Sequence, residues 1–190
     1  VVADHLSKKI GVAFKPENIV ITPGAKPVMF LSILALIETG DEVIYPNPGF
    51  PIYESAANFV GGKAVPYPLE EKDGFRIEGE KLKKLVTDKT RMLILNSPHN
   101  PTGAVLGKKE LEGIFEVIKN REDIWVLSDE IYSRGLYSGK HISIASFPGM
   151  VERTIVLDGM SKAYAMTGWR LGFGAMPEAL ALAVTKLAIN

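Results

Sequence analysis

The stretch "SKAYAMTGWRLGF", residues 161–173, sets two cations among small and apolar neighbours. A lysine in such surroundings, Lys162, tends to lose its proton, because burial disfavours the ammonium form. A neutral amine is a nucleophile toward carbonyl carbons and forms Schiff bases. Arg170 keeps its charge and offers a planar fork that suits phosphate. Taken singly, the two read more simply as a snorkelling lysine and a surface arginine.

Three further stretches have residue types that could act with them. In "NSPHNPTGAV" (96–105) two prolines bracket His99-Asn100. A rigid loop presenting the Asn100 amide suits an oxygen on a planar ligand, and an ordinary Pro-rich turn explains the composition equally well. His99 has no base partner in the sequence and carries no expectation. In "SDEIYS" (128–133) Asp129 closes an apolar run, and a buried carboxylate is costly unless it meets a cation. Tyr132 reaches the same place if the chain turns there; a helix N-cap is the other reading of Asp129. Gly24-Ala25-Lys26 follows "IVIT" and precedes a helical pattern, so its backbone N–H groups could form an anion site or simply start a helix. Neither a dinucleotide glycine fingerprint nor a nucleoside-triphosphate loop is present.

These positions depend on elements that alternate in type. Strands are expected over 18–22, 63–69, 91–96, 124–130, 153–159 and 170–176, and within 39–46, where a Gly-Asp turn leads into the strand. The two prolines of 63–69 point to an edge or a strand end. Helical spacing covers Ala25 to Ile37, 51–60, 78–86 and 108–120, the last with Leu111, Ile114, Phe115 and Ile118 on one face. Pro177 sits near the start of a final helix. The alternation predicts an α/β fold, three layers with a mostly parallel sheet of about seven strands and helices on both faces. In such sheets ligands bind beyond the carboxyl ends of the strands, where Gly24-Ala25-Lys26, Asn100, Asp129, Tyr132 and Lys162 fall.

The 190 residues suffice for one domain with a substantial core. With 22 basic against 22 acidic residues, a general electrostatic grip on nucleic acid or an anionic membrane is not expected. There is no cysteine, hence no disulfide framework, thiolate nucleophile or zinc cluster, which fits a reducing compartment. No apolar run is long enough to suggest a transmembrane helix. Both ends stop inside helical patterns, "VVADHLSKKIG" and "ALALAVTKLAIN", so residues 1–190 are expected to be one domain of a longer protein.

Together these motifs resemble the class I/II, aspartate-aminotransferase-like enzymes of fold type I, which use pyridoxal 5′-phosphate. "SKAYAMTGWRLGF" is similar to their lysine segment, "NSPHNPTGAV" to their Asn-Pro-Thr-Gly loop, "SDEIY" to their Asp-x-x-Tyr strand end, and "PNPGFPIYE" to their aromatic segment. The motifs follow the family's order over roughly residues 20–175. The resemblance implies that Lys162 holds the cofactor as an internal aldimine and shuttles the substrate proton. It implies that Asp129 pairs with the pyridine N–H, that Asn100 and Tyr132 bind the ring oxygen, and that Phe50 stacks on the ring. Arg170, with the Gly24-Ala25-Lys26 turn, would hold the phosphate.

The implied function is transfer of an amino group from an amino acid to a 2-oxo acid, in a cytoplasmic homodimer. A C–S β-lyase or an aminocyclopropane-carboxylate-synthase-like enzyme shares the same motifs. A non-catalytic regulatory domain with this fold is a third reading. Two departures stand out. Many relatives carry a phosphate-binding serine where this chain has Gly159. The substrate-carboxylate arginine and a partner-subunit tyrosine belong to regions outside this chain, the former in a smaller, substrate-closing domain. No motif places Arg134 or Arg153 to substitute.

Overall fold

The apolar runs become a seven-stranded sheet in a computed structural model that describes residues 1–189. Asn190, the last residue of the expected domain, lies outside the described residues. The strands are β1 (Ile19–Pro23), β2 (Glu42–Asn47), β3 (Lys63–Pro68), β4 (Thr90–Asn96), β5 (Trp125–Asp129), β6 (Thr154–Gly159) and β7 (Leu171–Ala175), in the spatial order β1-β7-β6-β5-β4-β2-β3. Pairs β2–β3, β2–β4, β4–β5 and β5–β6 are parallel. β7 is antiparallel to both of its neighbours, β6 and β1. The proline-bearing β3 is an edge strand, where a missing N–H costs no ladder bond on its free side.

The connections are α1 (Val2–Ile10), α2 (Lys26–Leu36), α3 (Ile52–Phe59), α4 (Gly79–Lys83), α5 (Lys108–Ile118), α6 (Met160–Ala163) and α7 (Glu178–Ile189), with short 3₁₀ turns between. On one face Val28, Met29 and Ile33 of α2, Ala56 and Ala57 of α3, and Ala181 and Val184 of α7 pack on Met92, Ile94, Leu127 and Ile155. On the other, Leu82 of α4 and Leu111, Ile114 and Ile118 of α5 pack on Leu93, Leu95 and Val126. Leu6 of α1 joins Val156 and Phe173 in a third cluster. Each fully buried Val, Leu, Ile, Met or Phe among them contributes about 1.5–3 kcal/mol.

Several boundaries differ from the sequence expectation. The helix expected over 78–86 ends at Lys83. The Gly-Asp turn expected to lead into a strand is present: Gly40 turns the chain at φ 94° and β2 begins at Glu42. Phe115 is only half-buried, against Phe147 at 5.4 Å between ring centroids, while Leu111, Ile114 and Ile118 are fully inside. β7 starts at Leu171 because Arg170 is left-handed, φ 53°, a conformation no strand residue adopts.

Candidate cofactor and active site

The ends of β1, β4, β5 and β6 open on one rim of the sheet. β7 runs backwards, so Arg170, the residue before it, lies at that same rim. A cavity of about 290 Å³ sits there, and Ala25, Lys26, Phe50, Asn100, Asp129, Tyr132, Lys162 and Arg170 all line it. Gly24 lies just beneath the Arg170 guanidinium. The structure thus brings all the predicted site residues to one place, although they come from six separate turns or strand ends.

Asp129 forms part of the cavity wall and is 5% exposed. Its Oδ2 accepts a 2.8 Å hydrogen bond from the Tyr53 hydroxyl, and its Oδ1 accepts one of 3.2 Å from the Ile131 N–H. The second contact caps a turn; no helix follows. Burial pushes the carboxyl up to about 6; the charges of Asp158 and Glu130 add to this, and the two hydrogen bonds oppose it. Each oxygen keeps an unused lone pair for a donor in the cavity.

Asn96 and Asp129 face each other in the ladder between β4 and β5. The Asn96 amide donates to the Asp129 carbonyl at 3.0 Å and accepts from the Asn100 N–H at 2.8 Å, so one side chain fixes both. His99, buried behind the loop, meets Thr102 Oγ1 at 2.8 Å and closes the turn that presents Asn100. Burial lowers the proton affinity of His99.

Lys162 stands on the four-residue α6, its Nζ 5.7 Å from the centre of the Tyr132 ring. It is exposed rather than enclosed by its small and apolar neighbours, which corrects the sequence expectation. Those neighbours, Tyr164, Ala165 and Trp169, are themselves on the surface.

At the far end of the cavity the first turn of α2 has N–H groups without intrahelical acceptors. Gly24 turns the chain into it at φ +87°, and a Cβ there would fall on Arg170 Nη2. Arg170 is held from below by the carbonyls of Thr167 (3.0 Å) and Pro23 (3.4 Å). The result is a cationic cradle suited to an oxyanion, combining a guanidinium fork with a helix N-terminus. Phe50 packs edge-on to Tyr53, centroids 5.9 Å apart, and Lys26 Nζ lies 5.0 Å over its ring.

The donor set therefore suits a planar ligand with three handles: a ring N–H for Asp129, a ring oxygen for Asn100 and Tyr132, and a phosphate for the cradle. Lys162 and Lys26 are the two amines that line the same cavity. The profile of the family described as aminotransferase class I and II matches residues 1–189.

The chain belongs to the class I and II aminotransferase family.

It is 39% identical over 188 residues to the arginine–pyruvate transaminase of Pseudomonas aeruginosa, covering 99% of this chain and 48% of that protein. It is 45% identical over 179 residues to an aspartate aminotransferase of Pyrococcus abyssi, covering 93% and 46%. The aromatic aminotransferase structure from Pyrococcus horikoshii superposes with a TM-score of 0.95 at 45% identity, over 99% of this chain and 51% of that one. The chain thus spans about half the length of the relatives it matches.

Sequence reasoning missed three residues of the site. Tyr53 reads as one more apolar position of a helix, and nothing local signals that its hydroxyl reaches Asp129. Asn96 reads as the end of a strand. Gly172, inside β7, has no room for a side chain: a Cβ would strike the backbone of Gly24 and Ala25, so this glycine lets the cradle sit on the strand. The two arginines outside any motif are accounted for elsewhere. Arg153 is buried and donates to the carbonyls of Ile118 and Ile124, at 3.0 and 3.3 Å, closing the end of α5. Arg134 stacks on Tyr164, 4.9 Å from the ring centre.

Proposed function

We propose that the full-length protein is a pyridoxal 5′-phosphate-dependent aminotransferase, passing an amino group between an amino acid and a 2-oxo acid. The observation that carries this reading is the placement of Lys162, Asp129 and the Arg170–α2 cradle on one cavity. When bound, the cofactor supplies an aldehyde carbon that takes the substrate amine and a conjugated ring that accepts electrons. In this reading the Asp129 carboxylate holds a proton on the ring nitrogen. Asn100 and Tyr132 orient the ring through its oxygen, and Phe50 forms a wall beside it. Arg170 and the N–H groups at Ala25 and Lys26 anchor the phosphate. Lys162 binds the cofactor covalently and, once displaced, carries the proton taken from the substrate's α-carbon.

The named relatives act, by their names, on arginine with pyruvate, on aspartate and on aromatic amino acids. Amino-group transfer is common to them and the side-chain preference is not. That preference is assigned to a substrate-closing domain and to a partner subunit. A homodimer belongs to the same reading. A cytoplasmic location belongs to the same reading, supported by a sequence without cysteine.

The test uses full-length protein loaded with the cofactor. An amino acid added alone should bleach the visible cofactor band and release its 2-oxo acid, in one equivalent until an acceptor oxo acid is supplied. A Lys162→Ala variant with undiminished turnover would sink the assignment. Pyruvate and ammonia formed from cystathionine without an acceptor would redirect it to β-elimination.

A further inference from the structure

Directly after Asp129 stands a second carboxylate for which the cavity has no use. Glu130 is 1% exposed, and the alternation of an extended chain turns it away from the cavity, toward α1. Lys9 Nζ lies 3.3 Å from its Oε2, and His141 Nε2 lies 2.8 Å from the same oxygen. Ser128 donates to its Oε1 at 3.1 Å. Lys9 also donates to Asp158 Oδ2 at 2.8 Å, and Asp158 Oδ1 accepts the Gly159 N–H at 2.7 Å. The strands that carry these groups are adjacent: Asp129 pairs with Leu157, and the Glu130 N–H donates to the Leu157 carbonyl at 2.8 Å. Three carboxylates, Asp129, Glu130 and Asp158, therefore crowd two neighbouring strand ends, and one ammonium from α1 bridges the latter two.

We propose that Lys9 is a positioning residue for Asp129: by bridging Glu130 to Asp158 it joins the ends of β5 and β6 and sets how much negative charge stands behind the Asp129 carboxylate. Like charges so placed in a poorly solvated region repel unless a cation lies between them. Burial alone would push the Glu130 carboxyl up, but His141, Lys9 and Ser143 outweigh it and hold it at about 2, so it stays charged. The other charged groups facing this cluster are His5, also on α1, and Arg134, from the loop after β5. Burial, then the Arg134 charge, lower the proton affinity of His5, so at neutral pH it adds little positive charge. His141 faces Glu130 alone, whereas Lys9 is the cation that touches both Glu130 and Asp158. Residues 158–162 follow from the end of β6 into α6, so the same bridge also supports the segment that carries Lys162.

The inference rests on the reading of Asp129 as the partner of a cofactor ring nitrogen. Its test is spectroscopic, on the full-length protein loaded with pyridoxal phosphate: the pH midpoint at which the visible band of the lysine-linked cofactor changes. A more negative surrounding holds a cationic proton to higher pH. Lys9→Met should therefore raise the midpoint, on the order of half a pH unit for one uncompensated charge at an intermediate effective dielectric. Asp158→Asn should lower it, and Lys9→Arg should restore the wild-type value. Opposite signs separate charge from mere loosening, which would move both variants the same way. Unchanged midpoints, or shifts of one sign, overturn the proposal even if the melting temperature falls. If Lys9→Met does not fold, Lys9→Gln, which also removes the charge, takes its place in the comparison with Asp158→Asn. A wild-type protein that shows no cofactor band defeats the functional reading instead, before any variant is compared.

Discussion

Tyr53 donates a 2.8 Å hydrogen bond to Asp129 from a helix on the opposite side of the cavity floor, and Tyr53 has no exposed surface at all. Burial, followed by the charge of Asp129, raises the phenol well above its ordinary value, so it remains a donor at any working pH. The contact ties α3, which follows the Phe50 turn, to the end of β5. One hydrogen bond thus sets the relation between the wall of the cavity and its buried charge.

Replacing Tyr53 with Phe keeps the shape and removes the donor. A hydrogen bond to a charged group is worth about 1.5–3 kcal/mol. Its loss should raise the Asp129 carboxyl further above about 6, since the bond favours the ionised form. Carbon-13 NMR titration of labelled aspartate in the cofactor-free protein reads this directly. In the full-length enzyme kcat/KM should fall roughly 10- to 100-fold, the same free energy expressed as rate.

Asp129→Asn separates stability from function. Asp129 has an ordinary value of 3.8 and sits at about 6 in the cofactor-free fold. A carboxyl raised in the fold contributes stability that is complete below about 3.8 and is lost as pH rises through about 6. Keeping it ionised at pH 8 therefore costs about 3 kcal/mol. The asparagine variant should melt higher than wild type at pH 8, by several degrees, and the difference should vanish near pH 4. Glu130, lowered to about 2, has the opposite dependence, but it is common to both proteins and cancels. The same variant should bind cofactor weakly, so the gain in melting temperature accompanies a loss of activity.

The features legible in the sequence were those encoded locally. The buried runs 91–96 and 153–159 announce inner strands, and Lys162, Asp129 and Asn100 stand at strand ends or in proline-fixed loops. Strand direction has no local signature, so the reversal of β7 was not foreseen, yet it is what returns Arg170 to the rim. Tyr53 and Asn96 were missed for a related reason: their roles depend on partners 76 and 33 residues away. Lys162 was expected to be buried from the apolar residues around it, but on a four-residue helix followed by an irregular turn those residues face outward.

The cradle depends on a glycine for two independent reasons. Gly24→Ala would place a methyl on the Arg170 guanidinium and force a side chain into a left-handed backbone. The guanidinium must move off the α2 N-terminus, and the left-handed strain adds about 1 kcal/mol. Cofactor affinity, measured by fluorescence quenching on reconstitution, should drop at least 10-fold. Arg170→Lys should cost a similar factor, because an ammonium does not replace the two-pronged contact. A Gly24→Ala protein with unchanged affinity would place the phosphate elsewhere.

Gly159 stands where the family resemblance leads one to expect a serine, and its backbone is extended, φ 171°, so conformation does not demand a glycine. Space does. A Cβ would lie 3.0 Å from the Leu171 carbonyl oxygen, 3.1 Å from Gly172 Cα and 3.3 Å from Ile131 Cδ1. Two of these neighbours are backbone of β7, which Gly172 keeps close under the cradle. Gly159→Ser should therefore destabilise the fold by about 1–3 kcal/mol, the usual penalty of overpacking, without tightening cofactor binding. Adding Ile131→Val should recover little, because shortening Ile131 leaves the Leu171 and Gly172 backbone contacts in place. Thermal melts and reconstitution titrations of the single and double variants measure both quantities. A serine variant that melts like wild type and binds cofactor more tightly would mean that β7 yields, and that the phosphate site can be rebuilt from one residue.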